Sequence, residues 1–140
     1  MKESSYIQVE VTVNKPRKKV WEFWTKPKHI VNWNFATDEW KCPKATNDLR
    51  VDGQFTYVMA AKDGTATFDF SGTYTKIDDY ERITYALEDG REVTIQFIEA
   101  SQGTQIIESF EVEETNSDTQ QQDGWQAILS NFKKYAEDHE

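Results

Sequence analysis

The residue with the clearest chemical potential is Glu108. In the run from Gln105 to Glu111, Glu108 lies two residues from Ile106 and two from Phe110 and so falls in their phase. An unbroken strand would aim its carboxylate wherever those two apolar side chains point. An unpaired charge there is costly, and the group shifts toward its protonated form. A carboxyl held that way could bind a ligand hydroxyl or amine, or serve as a general acid or base alongside Tyr57 or Tyr85. Two alternatives leave it without a role: a bulge that turns Glu108 outward and Ile107 inward, or a tyrosine hydroxyl that simply satisfies it.

Other chemistries find less support. His29 and His139 lie far apart, His29 on a turn that looks exposed and His139 in the terminal tail, and Cys42 has no Cys or His at ligand spacing. No metal site and no cofactor is expected. No serine has the glycine-flanked context of a strand-to-helix nucleophile. Asp63, Asp78, Asp79 and Asp89 fall in turns and read as solvated surface.

The 140 residues are one domain's worth, expected to fold as a single unit over residues 1–140 without a linker. A net charge of −9, with scattered Lys and Arg apart from the run Lys15 to Lys19, repels phosphate backbones, so nucleic acid is not expected as a partner. A single cysteine suits a reducing compartment, and the alternating N-terminus carries no signal-peptide pattern. No apolar run is long enough for a membrane span, and a cytoplasmic location follows as the expectation. Aromatic residues are abundant, with five Trp, six Tyr and eight Phe. Either the core is bulky or rings line a site.

The elements that would position these residues can be read from periodicity. In Asp118 to Glu137, Trp125, Ile128, Leu129, Phe132 and Ala136 recur at the spacing of one helical face, with Ser117 or Asp118 placed to cap it. Burying the large members of that face is worth about 6 to 12 kcal/mol, so this helix needs a broad apolar partner. Gly124 interrupts it, which predicts a close neighbour, Trp24 or a strand.

Upstream, Tyr6 to Val13 alternates as a half-buried strand. Asn14 is placed to cap a helix that begins at Pro16 and runs to Trp24, and Pro27 to Trp33 reads as a second short helix. A short strand is expected from Asp38 to Cys42, stopped by Pro43, and then a loop with a possible strand near Leu49 to Val51. Strands at Gln54 to Ala60, Thr65 to Ile77, Arg82 to Leu87, Glu92 to Ile98 and Thr104 to Val112 are separated by turns at Lys62-Asp63-Gly64, Asp78 to Glu81, Glu88-Asp89-Gly90 and Ser101-Gln102-Gly103. That pattern is an antiparallel meander.

This order, with the local wording NKPRKKVWEFWT, HIVNW, CPKATNDLRVDGQF, FSGTY and DGWQAILSNFKKY, resembles the domain named after the activator of the heat-shock-protein-90 ATPase, within the SRPBCC or START-like superfamily. The likeness runs from about Ile7 to Tyr135. It implies an α+β helix-grip fold: a curved seven-stranded antiparallel sheet wrapped around a long C-terminal helix, with two short helices after the first strand and often an apolar cavity between sheet and helix. Superfamily members bind lipids, sterols, polyketides or aromatic compounds. The larger eukaryotic activator makes major chaperone contacts through an additional N-terminal domain that this sequence has no room for.

The expected ligand-binding residues are therefore Phe55, Tyr57, Phe70, Tyr85, Phe97 and Glu108 on the sheet and Trp125, Ile128, Leu129 and Phe132 on the helix, with Trp33 and Trp40 closing one mouth. A filled core is the competing reading for each of them. Because nearly every inward side chain is large, the cavity should be narrow and suit a flat or small ligand. The expected partner is a small hydrophobic molecule, with a heat-shock chaperone, or a cyclase or hydrolase activity using Glu108, as alternatives.

Overall fold

Antiparallel pairing is what the alternating segments produce. The structure, a computed structural model, describes residues 6–112 and 117–138. It contains β1 (Tyr6–Val13), α1 (Arg17–Thr25), α2 (Pro27–Ile30), β2 (Trp40–Asn47), β3 (Gln54–Ala61), β4 (Thr67–Asp78), β5 (Arg82–Leu87), β6 (Glu92–Ala100), β7 (Gly103–Glu111) and α3 (Asp118–Asp138). The strands form one seven-stranded sheet in the order β1-β7-β6-β5-β4-β3-β2, every pair antiparallel. The sheet curls as a half-barrel around α3, the helix-grip arrangement.

The order leaves β1 and β2 as edges, and each edge is handled differently. Along β1, α3 supplies the missing partners. Gln126 Nε2 donates to the Glu10 carbonyl at 3.3 Å, Lys133 Nζ to the Thr12 carbonyl at 2.6 Å, and the Asn14 amide donates to Glu137 Oε2 at 2.9 Å. These bonds fix the helix along the sheet. Asn14 therefore serves the C-terminal helix rather than capping α1, whose N-cap is Pro16, without a side-chain hydrogen bond.

On the other edge, β2 runs straight through Pro43, where the sequence suggests a stop. The register slips between Lys41 and Lys44, and a proline at a bulge in an edge strand removes no ladder bond. β2 also extends to Asn47, and Leu49 to Val51, a possible strand by sequence, lies in a turn with Val51 exposed. The second helix is shorter than expected, ending at Ile30 before a turn through Trp33.

α3 begins as its sequence implies. Ser117 Oγ accepts from the Gln120 amide at 3.1 Å while Gln120 Oε1 accepts from the Ser117 amide at 3.2 Å, a reciprocal capping box. Leu129, Phe132 and Ala136 are fully buried. Phe132 sits edge-on to Trp24 and Trp33, each with ring centroids 4.8 Å away, and Trp24 in turn meets Phe97 at 5.7 Å. Trp33 is locked further by its Nε1, which donates to the Phe23 carbonyl at 3.0 Å. The helical insertion thus plugs one end of the half-barrel with aromatic rings. His29 belongs to this plug: it is buried, not exposed as its turn context suggests, with Nδ1 2.7 Å from the Tyr135 hydroxyl. His139 lies outside the described residues.

Candidate functional site

At the other end of the half-barrel the first turns of α3 stand off from the sheet, and a cavity of about 520 Å³ lies between them. Its walls come from β3 (Tyr57, Met59), β4 (Phe68, Phe70, Tyr74), β5 (Ile83, Tyr85) and β7 (Glu108), with Arg91 from the turn before β6. The insertion adds Trp24, Trp33, Asn34 and Ala36, and α3 adds Gln120, Gln121, Gly124, Trp125 and Ile128. Phe68 and Gln120 are exposed as well as lining it, which places them at an opening to solvent. The volume is in the middle of the range for small-molecule sites, roughly 300 to 1,000 Å³. At that volume the bulky inward side chains still leave room for a small molecule.

The reason lies in where the large rings go. Phe55 packs on Gly72, so close that a Cβ there would come within 2.6 Å of the ring, and Phe55 is not part of the cavity lining. Trp125 stacks on Phe110, with centroids 4.3 Å apart and planes at 13°, against the wall instead of across the space. Gly124 has nothing within 4 Å of its Cβ direction. The close neighbour expected for it is absent; it faces the void.

Of the residues anticipated for ligand binding, Trp33, Tyr57, Phe70, Tyr85, Glu108, Trp125 and Ile128 are brought together around the cavity. Phe55, Phe97, Leu129 and Phe132 are not; all are buried in solid packing. Trp40 also stays out of the lining and rests edge-on against Phe68, centroids 5.8 Å apart, on the outer side of the opening. Trp33 is held by its hydrogen bond and its rings, which makes it wall rather than gate.

Sequence reasoning missed Asn34, Arg91 and Gln121 as polar lining. Gln121 had a signal: it lies four residues before Trp125, a polar residue on the apolar face of α3, and it is buried. Asn34, also buried, points its Nδ2 at Met59 Sδ, 3.5 Å away. Arg91 follows a turn and carried no periodic signal; its Nε is 2.7 Å from Asp89 Oδ2.

Glu108 is the chemical centre of the cavity. The ladder through it is unbroken, with Val9 opposite on β1 and Ile95 opposite on β6, so no bulge turns it outward. It is 5 % exposed, and among the described residues no hydrogen bond or ion pair reaches its carboxyl. Burial alone pushes its pKa up to about 8, so the group holds its proton at neutral pH. Burial raises Tyr85 well above the usual phenol range, and the nearby Glu108 carboxyl adds to it.

The other two tyrosines of the lining, Tyr57 and Tyr74, form a relay. Tyr57 faces the Tyr74 hydroxyl, Tyr74 donates to Asn47 Oδ1, and Asn47 Nδ2 donates to the Thr25 carbonyl at 2.6 Å. Burial pushes Tyr74 up to about 12 and Tyr57 well above the ordinary value, so both stay neutral. The cavity therefore offers aromatic faces, neutral hydroxyls and one proton-bearing carboxyl. No group of three or more His, Cys, Asp or Glu side chains converges as a metal site among the described residues. Within the same residues no helix is long and apolar enough to cross a membrane.

Comparison with known proteins places this architecture. A family profile described as "Activator of Hsp90 ATPase homolog 1-like protein" matches residues 14–137. The solution structure of an AHSA1-like protein from Aeromonas hydrophila is 41% identical over 96% of this chain and 93% of that one, with a TM-score of 0.91. A protein from Cytophaga hutchinsonii is 49% identical over 94% and 92%, with a TM-score of 0.82. A protein from Nitrosomonas europaea, at 18% identity over 95% and 94%, shares the fold, with a TM-score of 0.81. No curated protein matches the chain.

Proposed function

The chain belongs to the family of activator of Hsp90 ATPase homolog 1-like proteins, and from that premise we propose that it binds a small, largely apolar molecule in the cavity under the first turns of α3. The observation that carries this reading is the cavity itself: about 520 Å³ of space walled by Trp24, Trp33, Tyr57, Phe70, Tyr85 and Trp125, with Glu108, Asn34, Arg91 and Gln121 as polar points. Apolar walls with a small number of placed polar groups are what orient a bound molecule. A filled core would leave no such space.

Thermal shift with flat aromatic, fatty-acid and sterol compounds tests the proposal. A compound that binds only the folded state raises its melting temperature. Gly124→Leu provides the control, because its side chain would project into open space that the ligand needs while leucine is the better helix former. We expect the shift to vanish in that variant while the unliganded protein melts no lower. A panel in which no compound shifts the wild type, or one whose shifts persist in Gly124→Leu, would remove the proposal.

A chaperone-associated role would draw on an exposed apolar patch. The exposed large apolar side chains among the described residues, Tyr6, Val51, Phe68, Tyr80 and Ile98, are distributed over separate strands and turns, and only Phe68 adjoins the cavity. Ligand binding therefore remains the reading with a specific structural feature behind it.

A further inference from the structure

We infer that the molecule held in this cavity is a lipophilic amine, its apolar body against the aromatic walls and its protonated nitrogen paired with Glu108. The inference rests on the cavity reading above and names the chemistry of its occupant.

Three observations carry it. Glu108 is more than nine-tenths buried, it points into the cavity from an unbroken strand, and its carboxyl has no partner among the described residues. Among the described residues no protein group completes this carboxyl and it opens onto the cavity, so it is placed for a ligand group to complete it. The walls around it are faces and edges of Trp24, Trp33, Tyr57, Phe70, Tyr85 and Trp125, and aromatic faces attract organic cations. The protein as a whole carries a net charge of −9, which favours the approach of a cation and opposes that of an anion such as a fatty-acid carboxylate.

Among the described residues, the groups around Glu108 leave this role to it alone. Its ladder neighbours are Val9 on β1 and Ile95 on β6. β3, β4 and β5 contribute Tyr57, Tyr74 and Tyr85 to the cavity, all held neutral by burial, and α3 contributes Gln120, Gln121, Gly124, Trp125 and Ile128, none of which titrates. Cys42, behind Asn34, is also held as the neutral thiol by burial. Among the described residues Arg91 is the one cationic residue in the lining, and its guanidinium is bonded to Asp89 in the same turn.

Binding an ammonium group to a carboxyl that starts protonated must expel that proton, which makes the affinity depend on pH in a defined direction. The affinity should rise as pH increases toward the pKa of Glu108, by up to about tenfold per pH unit for one proton released. A neutral hydrogen-bonding ligand keeps the proton in place and shows no such rise.

The test is titration calorimetry with 3,3-diphenylpropylamine and its neutral analogue 3,3-diphenylpropanol at pH 6, 7 and 8. Each titration is run in two buffers of different ionisation enthalpy to count protons. We expect the amine to bind at least about tenfold tighter than the alcohol at pH 8, with close to one proton released per amine bound at pH 6. In Glu108→Gln the ratio of the two affinities should fall to near one. Equal binding of amine and alcohol by the wild type, absence of proton release, or a ratio that survives in Glu108→Gln overturns the amine assignment and leaves the cavity reading standing. Failure of both compounds to bind, together with an empty thermal-shift panel, overturns both. The wild-type proton count stands on its own if the glutamine variant does not fold.

Discussion

The two halves of α3 face the same sheet and end up in different surroundings. From Leu129 to Ala136 the helix is pressed into a solid layer, with Phe132 between Trp24 and Trp33 and Tyr135 against His29. From Gln120 to Ile128 it spans a cavity, with Trp125 laid against Phe110 and Gly124 facing nothing. The helical insertion accounts for the contrast. α1 supplies Phe23 and Trp24, and the turn after α2 supplies Trp33, to one end of the half-barrel, and among the described residues the other end has no equivalent plug. One half of the helix thus holds the fold together, and the other is free to hold something else.

The sharpest way to probe this contrast is through pH. With a reference pKa of 4.5 when unfolded and about 8 when folded, Glu108 costs nothing below pH 4.5, where both states are protonated. As pH rises the unfolded chain ionises while the folded one does not, so stability falls until the folded carboxyl ionises near pH 8 and then levels. The full loss is roughly 5 kcal/mol by linkage, and Glu108→Gln should abolish it. Urea unfolding of both proteins from pH 4 to 9 checks this, and parallel curves for the two would remove the buried carboxyl from the open half.

Adjacent residues in the helix give the next comparison. Phe132→Ala should cost about 3 to 5 kcal/mol and Leu129→Ala about 2 to 5, because each leaves a hole in close packing. Ile128→Ala only enlarges a space that already exists and should cost about 1 kcal/mol or less. Chemical denaturation that found Ile128→Ala as damaging as Leu129→Ala would break the distinction between the halves.

Two glycines, Gly72 packed under Phe55 and Gly124 at the cavity, should respond with opposite signs. Gly72→Ala drives a Cβ into the Phe55 ring and the Ala86 carbonyl, and overpacking of that kind costs about 1 to 3 kcal/mol. Gly124→Ala meets no atom and should stabilise the helix by about 1 kcal/mol. Ser117→Ala removes the cap over the open half and should cost about 1 kcal/mol. Melting temperatures of the three variants, measured without ligand, order these effects.

Much of this was legible beforehand. Alternation placed the strands and the phase of Glu108, and the helical spacing of Trp125, Ile128, Leu129 and Phe132 placed the face of α3. Pro43 misled because a proline's effect depends on whether its strand is an edge, which depends on sheet order. Gly124 misled because a glycine in a helix looks the same in sequence whether a neighbour crowds it or none is there. Phe55 and Phe97 shared a phase with true lining residues and were still consumed by packing, Phe55 over Gly72 and Phe97 under Trp21 and Trp24.

By itself, then, the sequence determined which side each residue takes, because periods of two and of 3.6 are set by local backbone geometry. Whether an inward residue is core or cavity wall was decided only in three dimensions. That outcome depends on how far each ring reaches, on which glycine it lies over, and on where the helical insertion comes to rest, and none of these distances is written in the spacing of residues along one chain.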